Sequence, residues 1–454
     1  MPVDRMDCWC IIGAGPCGLA AQKNFRQAGI PYVAFERDDD VGGAWNAAAK
    51  SARVYDSAHL ISSKRLTEYV DFPMPDDYPA YPSAKQAHAY LRSYADAFEL
   101  RDSIRFQTSV LSAVRSEGGW LVRTDRDAEP IRFAGLVIAN GHHWDPLIPE
   151  WPGEFSGDIF HSRDYREPSK FAGKRVLVVG AGNSGCDVAV EACQVAERVV
   201  HSLRRGYHVL PKFLLGKPID LCGERLLRWR LPLWLRRRIA GAASRISLGS
   251  PARFGVPAPD HALFEAHPIV NSQWLYFLGH GRIAVKPQVE RFAGDLIRFA
   301  DGSEEAFDDV VMATGYRVSF PFLDEEELPR PNGAPDLYLN AFDRTRDDLI
   351  VIGMIQPDSG LWGLADLQSR LAAEYLSAIR DGDDATAAAF RAEKATARPD
   401  LGFGVRYLDT PRHRLEVEHF AFRRLLERKI ATLRTNRSRA RRRPAEPRVA
   451  TQLG

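Results

Sequence analysis

Two glycine-rich turns are the segments of this sequence whose residue types and spacing point most clearly to chemistry. The first is Gly13-Ala-Gly15-Pro16-Cys-Gly18 and the second is Gly180-Ala-Gly182-Asn183-Ser184-Gly185. Each follows a short apolar run and opens a segment that is typical of a helix. In that setting the first glycine makes the tight turn, the second lets the backbone approach a pyrophosphate, and the third lets the helix pack on the strand. Two such turns predict two dinucleotides in one chain, a flavin and a nicotinamide placed for hydride transfer.

The residues that follow the second strand of each unit distinguish the two nucleotides. Glu36 ends the strand 31–35, at the distance from Gly18 where an acidic side chain can bind the ribose hydroxyls of adenosine. An ordinary exposed carboxylate is the alternative interpretation of Glu36. The strand 198–202 of the second unit ends instead in Ser202-Leu-Arg204-Arg205, without an acidic residue. Because arginine there accommodates a 2′-phosphate, the second cofactor is predicted to be NADPH rather than NADH.

Length and charge set limits on the class of protein. A chain of 454 residues is long enough for two or three domains, each with its own core. The formal net charge is +2, but residues 434–454 carry seven arginines and one glutamate, about +6, which leaves about −4 on the rest. The body is therefore not a nucleic-acid surface. Without apolar periodicity, residues 431–454 are predicted to form a disordered basic tail.

Several functional classes are disfavoured by what the sequence lacks. No apolar run approaches the roughly 18 to 20 residues of a transmembrane segment, and the N-terminus leads directly into the first strand without a signal peptide. The six cysteines form no CxxC pair, which argues against a disulfide reductase and favours reduced thiols in a cytoplasmic protein. The twelve histidines show no metal-ligand spacing, so no metal site is predicted. Catalytic side chains stay unknown, and a homodimer is compatible with the sequence.

The predicted fold is α/β, with two Rossmann-like dinucleotide-binding domains and the NADPH domain inserted into the FAD domain. The FAD domain is expected over 1–168 and 291–430, and the NADPH domain over 169–290. A helical insertion is expected at about 213–267, where the basic, tryptophan-bearing segment 226–238 interrupts the pattern. This segment could lie on a membrane surface, cap a substrate channel, or pack against the nicotinamide domain.

Four ordered motifs identify a family resemblance. Phe155-Ser-Gly157-Asp-Ile-Phe-His161-Ser-Arg-Asp-Tyr165 has the pattern FxGxxxHxxxY. With Gly42-Gly43-Ala-Trp45, the second turn in the form GxGNSG, and Ala313-Thr-Gly315-Tyr316, the chain resembles the flavin-containing monooxygenases, class B flavoprotein monooxygenases, from about residue 8 to about residue 425. The stretch 208–255 is especially similar to the plant auxin-forming branch and its bacterial relatives. Baeyer–Villiger members usually carry tryptophan at the position of Tyr165, which disfavours that alternative.

The resemblance implies a specific reaction. In the family, NADPH reduces FAD, dioxygen adds to form a flavin 4a-hydroperoxide, and a small organic substrate takes one oxygen atom. The cofactor performs the difficult step, and the protein supplies orientation and a dry pocket. The resemblance also adds Gly43, Trp45 and Ser62 to the expected cofactor-binding residues, and it gives His161 a role in domain linkage rather than in proton transfer.

One residue departs from the family pattern. Many relatives place an asparagine where this chain has Ile61, and isoleucine has neither a donor nor an acceptor. Either Ser62 or His59 supplies a substitute contact, or the oxygenating intermediate is shorter-lived. The departure argues against the interpretation that the substrate is oxygenated at a heteroatom. It favours a Baeyer–Villiger-type reaction on a ketone or keto acid. A flavoprotein that only oxidises NADPH and senses redox state is a further alternative.

Overall fold

The computed structural model describes residues 3–49, 52–229 and 231–442. Its helices are α1 (Pro16–Gln27), α2 (Lys64–Thr67), α3 (Ala84–Ala97), α4 (Asn183–Val195), α5 (Ile219–Arg228), α6 (Leu233–Leu248), α7 (Ser272–Gly279), α8 (Trp362–Arg380), α9 (Asp384–Thr396) and α10 (His419–Arg442). Its strands are β1 (Val3–Ile12), β2 (Tyr32–Phe35), β3 (Ile104–Arg105), β4 (Val110–Ser116), β5 (Gly119–Thr124), β6 (Ile131–Ile138), β7 (Asp145–Pro146), β8 (Asp158–His161), β9 (Arg175–Val179), β10 (Arg198–Ser202), β11 (Phe213–Leu214), β12 (Lys217–Pro218), β13 (Ala284–Lys286), β14 (Val289–Ala293), β15 (Leu296–Phe299), β16 (Glu304–Ala306), β17 (Asp309–Met312), β18 (Tyr316–Arg317), β19 (Leu337–Tyr338), β20 (Phe342–Asp343), β21 (Leu349–Val351), β22 (Gln356–Pro357) and β23 (Glu416–Val417).

Two sheets share the order and parallel direction of four strands, β3-β2-β1-β6 in the first and β13-β10-β9-β17 in the second. In the first sheet the parallel strands run in the order β3-β2-β1-β6-β21, with antiparallel β20 and β19 at one edge and β5 and β4 attached to β6. In the second sheet all five strands are parallel, in the order β13-β10-β9-β17-β8. In each sheet the central strand, β1 or β9, is followed by a glycine turn and a helix. The predicted mixed α/β class with parallel sheets is confirmed.

The sequence explains why the first central helix forms where it does. Pro16 occupies the first turn of α1, where its fixed φ suits a helix start and its missing N–H costs nothing. Leu19, Ala20 and Phe25 are buried in the first core. Helix α8 packs against both α1 and α10, and almost all of its residues are buried. The helix that follows the first glycine turn is therefore packed into the core on one side and against α8.

The predicted domain boundaries at 168 and 291 do not match the strand pairing. Strand β8 belongs to the second sheet, although it precedes residue 169. Strand β17 also belongs to the second sheet, and the antiparallel strands β14 to β16 contribute to the same core as β9 and β10. The second unit therefore extends from about β8 to β17. Sheet membership depends on hydrogen bonds between distant segments, which local motifs do not reveal, and the domain boundaries stay a prediction.

Residues 431–442, where a disordered tail was predicted to begin, are helical in the structure, because α10 continues to Arg442. Phe422, Leu426, Ile430 and Leu433 bury one face of this helix. Beyond that face, Arg434 donates to Glu374 over 2.6 Å and Arg437 donates to Asp381 over 2.8 Å. Acidic partners on and beside α8 thus hold the arginine-rich end in a helix. Residues 443–454 lie outside the described part of the chain.

The predicted helical insertion is present as α5 and α6. Among the residues that the structure describes, no helix combines the length and the apolar composition that are needed to cross a bilayer.

Candidate functional site

The first glycine turn has one position that is open to a ligand and two that are closed. Gly13 has φ +104°, and a Cβ there would lie 2.7 Å from the Ala139 carbonyl oxygen. A Cβ on Gly18 would lie 1.9 Å from the Gly13 carbonyl oxygen. A Cβ on Gly15 would meet only Gly43, at 3.5 Å. Gly13 and Gly18 are therefore required by the turn itself, whereas Gly15 is required only if something approaches its backbone.

Gly43 lies on the open side of this turn. It has φ +53°, and a Cβ on it would be 3.0 Å from the Cα of Gly15. The short helix Gly43–Trp45 follows, and the Trp45 ring lies edge-on to Trp362 with centroids 5.8 Å apart. The structure therefore places Gly43 against the first turn, with Trp45 two residues further along the chain.

Glu36 lies at the end of β2 and is buried. Its two carboxylate oxygens accept hydrogen bonds from Ala14 N–H at 2.7 Å and Asp38 N–H at 3.0 Å. Burial raises the pKa of Glu36, and these two hydrogen bonds act in the opposite direction. Each oxygen keeps a second lone pair that can accept from a hydroxyl. Glu36 is thus held beside the glycine turn and is not an ordinary exposed carboxylate.

The second glycine turn repeats the backbone conformation and close approaches of the first. Gly180 has φ +101°, and a Cβ there would lie 2.5 Å from the Ala313 carbonyl oxygen. A Cβ on Gly185 would lie 2.0 Å from the Gly180 carbonyl oxygen. Ala313 follows β17 as Ala139 follows β6, and each alanine N–H donates to the last residue of the central strand, Val179 or Ile12. Ala139-Asn-Gly141 was not predicted as part of a site, although its similarity to Ala313-Thr-Gly315 was a usable signal.

Three further residues predicted to bind the second cofactor differ in whether their side chains are already hydrogen-bonded within the protein. Asn183 accepts a hydrogen bond from Val270 N–H at 2.9 Å, so its side chain secures the turn to the segment before α7. Ser184 is exposed in the first turn of α4, where a helix N-terminus favours an anion. Ser202 is buried and donates from its hydroxyl to the Pro287 carbonyl at 2.8 Å. Of these three predicted residues, Ser184 presents an available polar side chain.

The two arginines after β10 differ in environment. Arg205 is half-buried, with Nε 3.6 Å from Asp260 Oδ2. Arg204 is exposed, and in the described part of the chain it has no ion pair. A new anion would therefore find Arg204 more available than Arg205.

A loop of the first unit, residues 55–63, is bound to the second unit. Tyr55 donates to Asp187 on α4, and Ser57 donates to Glu191 on the same helix. Ser63 N–H donates to Asp220 on α5 over 2.6 Å. The two glycine turns are therefore held in a fixed relation to each other by hydrogen bonds across the units.

This loop also carries the residues expected near the flavin. Ile61 is 39% exposed, and Ser62 is half-buried. The His59 ring contacts the Lys212 amino group through Nε2 and the Ser57 carbonyl, at 3.2 Å, through Nδ1. Burial lowers the pKa of Lys212 to about 8. Sequence reasoning missed Lys212 and Asp220, since no local motif marks a contact between segments about 150 residues apart.

Two of the four fixed residues of the FxGxxxHxxxY pattern, His161 and Tyr165, make contacts that connect segments. His161 Nε2 lies 3.0 Å from the Gly315 carbonyl oxygen, and its Nδ1 accepts from Arg163 N–H. Burial lowers the pKa of His161, so the neutral ring donates from Nε2 to Gly315. Tyr165 donates to Glu191. Both contacts agree with a role in linkage between segments.

Asp187 predicts a specific pH dependence of stability. Burial raises the pKa of Asp187 to about 6, although hydrogen bonds from Tyr55 and Asn271 oppose the shift. Between about pH 4 and pH 6 the folded chain keeps a proton that the unfolded chain has lost, so stability falls as pH rises, by about 2 to 3 kcal/mol in total. The variant Asp187→Asn lacks this titration. Its Tm relative to wild type should rise from pH 5 to pH 7, whereas exposed Asp39→Asn should show no such trend. A constant Tm difference for Asp187→Asn would contradict the assignment.

The six cysteines are free thiols, and burial raises the pKa of Cys17 in the first turn to about 12. In the ranges that the structure describes, no group of three or more His, Cys, Asp or Glu residues could hold a metal ion.

Comparison with known proteins identifies the family. The model of the FMO-like family, flavin-binding monooxygenase-like, matches residues 8–385. Flavin-containing monooxygenase 5 of Rattus norvegicus is 33% identical over 435 residues, which cover 90% of this chain and 80% of the relative.

Two solved structures share the fold. A flavin-containing monooxygenase from Stenotrophomonas maltophilia aligns with a TM-score of 0.62 at 23% identity, covering 83% of this chain and 100% of that one. An oxidised steroid monooxygenase bound to NADP aligns with a TM-score of 0.68 at 20% identity, covering 94% and 98%. Together with the duplicated turns, these matches confirm the resemblance seen in the sequence. The chain belongs to the flavin-binding monooxygenase-like family and is a flavin monooxygenase, an oxidoreductase.

Proposed function

We propose that this chain is an NADPH-dependent monooxygenase that transfers one oxygen atom of dioxygen to a small organic substrate. The second oxygen atom leaves as water, and NADPH supplies the two electrons. The observation that carries the proposal is the pair of equivalent glycine turns, held against each other by the loop 55–63. A fixed relation between two nucleotide sites is what hydride transfer between them requires.

The first turn fits the diphosphate and adenosine of FAD. Gly15 and Gly43 leave a cradle that a larger side chain would fill, and the N-terminus of α1 faces it. Two buried polar atoms on segments that converge here, Asn46 Nδ2 and Asn140 Oδ1, lack hydrogen-bond partners among the described residues. A bound cofactor with polar groups would satisfy such atoms. Glu36 would accept from the adenosine ribose.

The second turn fits NADPH. The N-terminus of α4 and the exposed Ser184 hydroxyl would bind the diphosphate. Arg204 would bind the 2′-phosphate, because its guanidinium is exposed and has no ion pair in the described chain. With these assignments the second unit, from β8 to β17, is an NADPH domain inserted into an FAD domain. Arg205 would contribute less, since Asp260 already pairs with it.

The protein's own part in the reaction is positioning and exclusion of water. When bound, FAD accepts hydride from NADPH and activates dioxygen. The contacts of Tyr55, Ser57 and Ser63 with the second unit hold the two nucleotide sites together. Ser62 would present a hydroxyl to the flavin region, and Lys212 would present an amino group that burial makes easier to deprotonate.

A substrate panel tests this function. Purified protein with FAD and NADPH should consume oxygen faster in the presence of a member of an amine, sulfide, ketone or keto-acid panel, with one product molecule formed per NADPH. A ketone that yields an ester would select the Baeyer–Villiger-type reaction, which the loss of an amide at Ile61 favours. Hydrogen peroxide as the sole product with every compound would contradict oxygenation and favour a redox-sensing flavoprotein.

Ile61 predicts incomplete coupling between NADPH oxidation and product formation. An apolar side chain excludes water but donates no hydrogen bond to activated oxygen. The Ile61→Asn variant restores a donor, and at 39% exposure the added amide is not forced into an unsatisfied buried position. We expect less hydrogen peroxide per NADPH, with Ile61→Leu as the control that changes shape but adds no donor. More peroxide from Ile61→Asn than from Ile61→Leu would show that isoleucine suits this enzyme's own substrate.

A further inference from the structure

The helical insertion has an unusual surface. Residues 213–256 contain nine Lys and Arg and only two Asp and Glu, a formal charge of +7 in a chain whose total is +2. The same segment has several large apolar side chains that are strongly exposed. The most exposed are Leu215 at 95%, Ile246 at 86%, Trp229 at 71% and Trp234 at 63%. Exposed apolar groups and concentrated positive charge therefore occur on one insertion.

Helix α6 separates an anchored side from an exposed side. Arg237 donates to the Leu263 carbonyl at 2.8 Å and to Glu265 at 2.9 Å, and the Ser244 hydroxyl donates to the Val209 carbonyl at 2.5 Å. These contacts fix the helix to the second unit. At about 100° per residue, the exposed residues other than Ser247 occupy a sector of about 140° on the other side. This outer face consists of Trp234, Arg238, Ile239, Ala242, Arg245 and Ile246.

The chemistry of the outer face indicates its partner. Tryptophan and isoleucine gain free energy by entering the boundary between headgroups and acyl chains, and arginine pairs with anionic headgroups. The helix α6 contains four arginines and no acidic residue. A second copy of this chain would place arginine against arginine across a twofold axis. Double-stranded nucleic acid would bind the arginines but would leave Trp234 and Ile246 in water.

We propose that the outer face of α6 docks on an anionic lipid surface, with Trp234 and Ile246 inserted and Arg238 and Arg245 at the headgroups. Trp229 and Leu215 are further exposed apolar side chains of the same insertion. Docking requires no spanning helix, because an interfacial helix lies parallel to the membrane.

Vesicle sedimentation with the full-length holoprotein tests this proposal. The vesicles consist of phosphatidylcholine alone or of phosphatidylcholine with roughly one-third phosphatidylglycerol. We expect sedimentation only with the anionic vesicles, and its loss as salt screens the arginines. Since each arginine near an anionic surface contributes about fivefold in partition, Arg238→Gln/Arg245→Gln should bind about 25-fold more weakly. Trp234→Ser/Ile246→Ser should bind at least about tenfold more weakly.

The controls separate docking from general surface effects. Leu111→Ser/Arg123→Gln removes an exposed apolar residue and an exposed arginine from another part of the surface, and it should bind like wild type. All variants should keep bound flavin and NADPH oxidation. Absence of wild-type binding, equal binding to both vesicle types, or an equal loss in the control variant would overturn the proposal. A dimer in gel filtration that the α6 variants convert to monomer, without vesicle binding, would overturn it in favour of a second copy.

Discussion

The variant Gly15→Val should purify as a folded protein that lacks flavin colour. A Cβ at this position meets only Gly43, at 3.5 Å, so we expect the turn itself to accommodate a side chain, whereas a diphosphate could no longer reach the backbone N–H groups. Loss of two charge-assisted hydrogen bonds costs about 3 to 6 kcal/mol, or about 100- to 10,000-fold in FAD affinity. Visible absorbance of the purified protein measures the outcome.

The first turn provides its own control. Gly18→Ala should destabilise the fold, because a Cβ there would lie 1.9 Å from the Gly13 carbonyl oxygen. Far-ultraviolet circular dichroism distinguishes the two variants. Gly15→Val should keep the wild-type spectrum, whereas Gly18→Ala should have a lower Tm than the wild type when the signal is followed on heating. A fully yellow Gly15→Val protein would contradict the assignment of this turn to FAD.

The second large effect concerns the choice of nicotinamide nucleotide. Arg204→Ala should raise KM for NADPH by about 10- to 100-fold, because a charge-assisted hydrogen bond to the 2′-phosphate is worth about 1.5 to 3 kcal/mol. KM for NADH should stay nearly unchanged. Arg205→Ala should have a smaller effect, since Asp260 lies 3.6 Å from Arg205 Nε. Replacement of both arginines should give the largest loss of the preference for NADPH over NADH.

Steady-state kinetics with both nucleotides measures this preference. If Arg204→Ala raised KM for NADPH and for NADH by the same factor, Arg204 would contact a part that both nucleotides share. The assignment of Arg204 to the 2′-phosphate would then be wrong. If Arg205→Ala alone removed the preference, the ion pair with Asp260 would have to open on binding, and Arg205 would be the specificity residue.

The local elements of the nucleotide units could be predicted from the sequence. The predicted strand 198–202 matches β10, and the helices after both turns begin within three residues of their predicted starts. These elements are specified by apolar runs, glycines and the proline of the first turn, which act over a few residues. Strand β1 begins earlier than predicted because Val3, Asp4 and Arg5 pair with the distant strand β6.

Features that depend on distant contacts could not be predicted. The place of β8 in the second sheet requires β17, about 150 residues later. The helical state of residues 434–442 depends on Glu374 and Asp381, which no pattern in the arginine-rich segment indicates. Within the site, the glycines and Glu36 carry local signals, whereas Asp187, Lys212 and Asp220 become recognisable only when the two units meet.

The fate of dioxygen tests the central claim most directly. Wild-type protein with FAD, NADPH, isotopically labelled dioxygen and a substrate that increases oxygen uptake should form a product with one labelled oxygen atom. Product and oxidised NADPH should form in equal amounts, less the hydrogen peroxide released. A product whose added oxygen comes from water, or NADPH oxidation that yields labelled hydrogen peroxide and no labelled product across all four substrate classes, would contradict a monooxygenase.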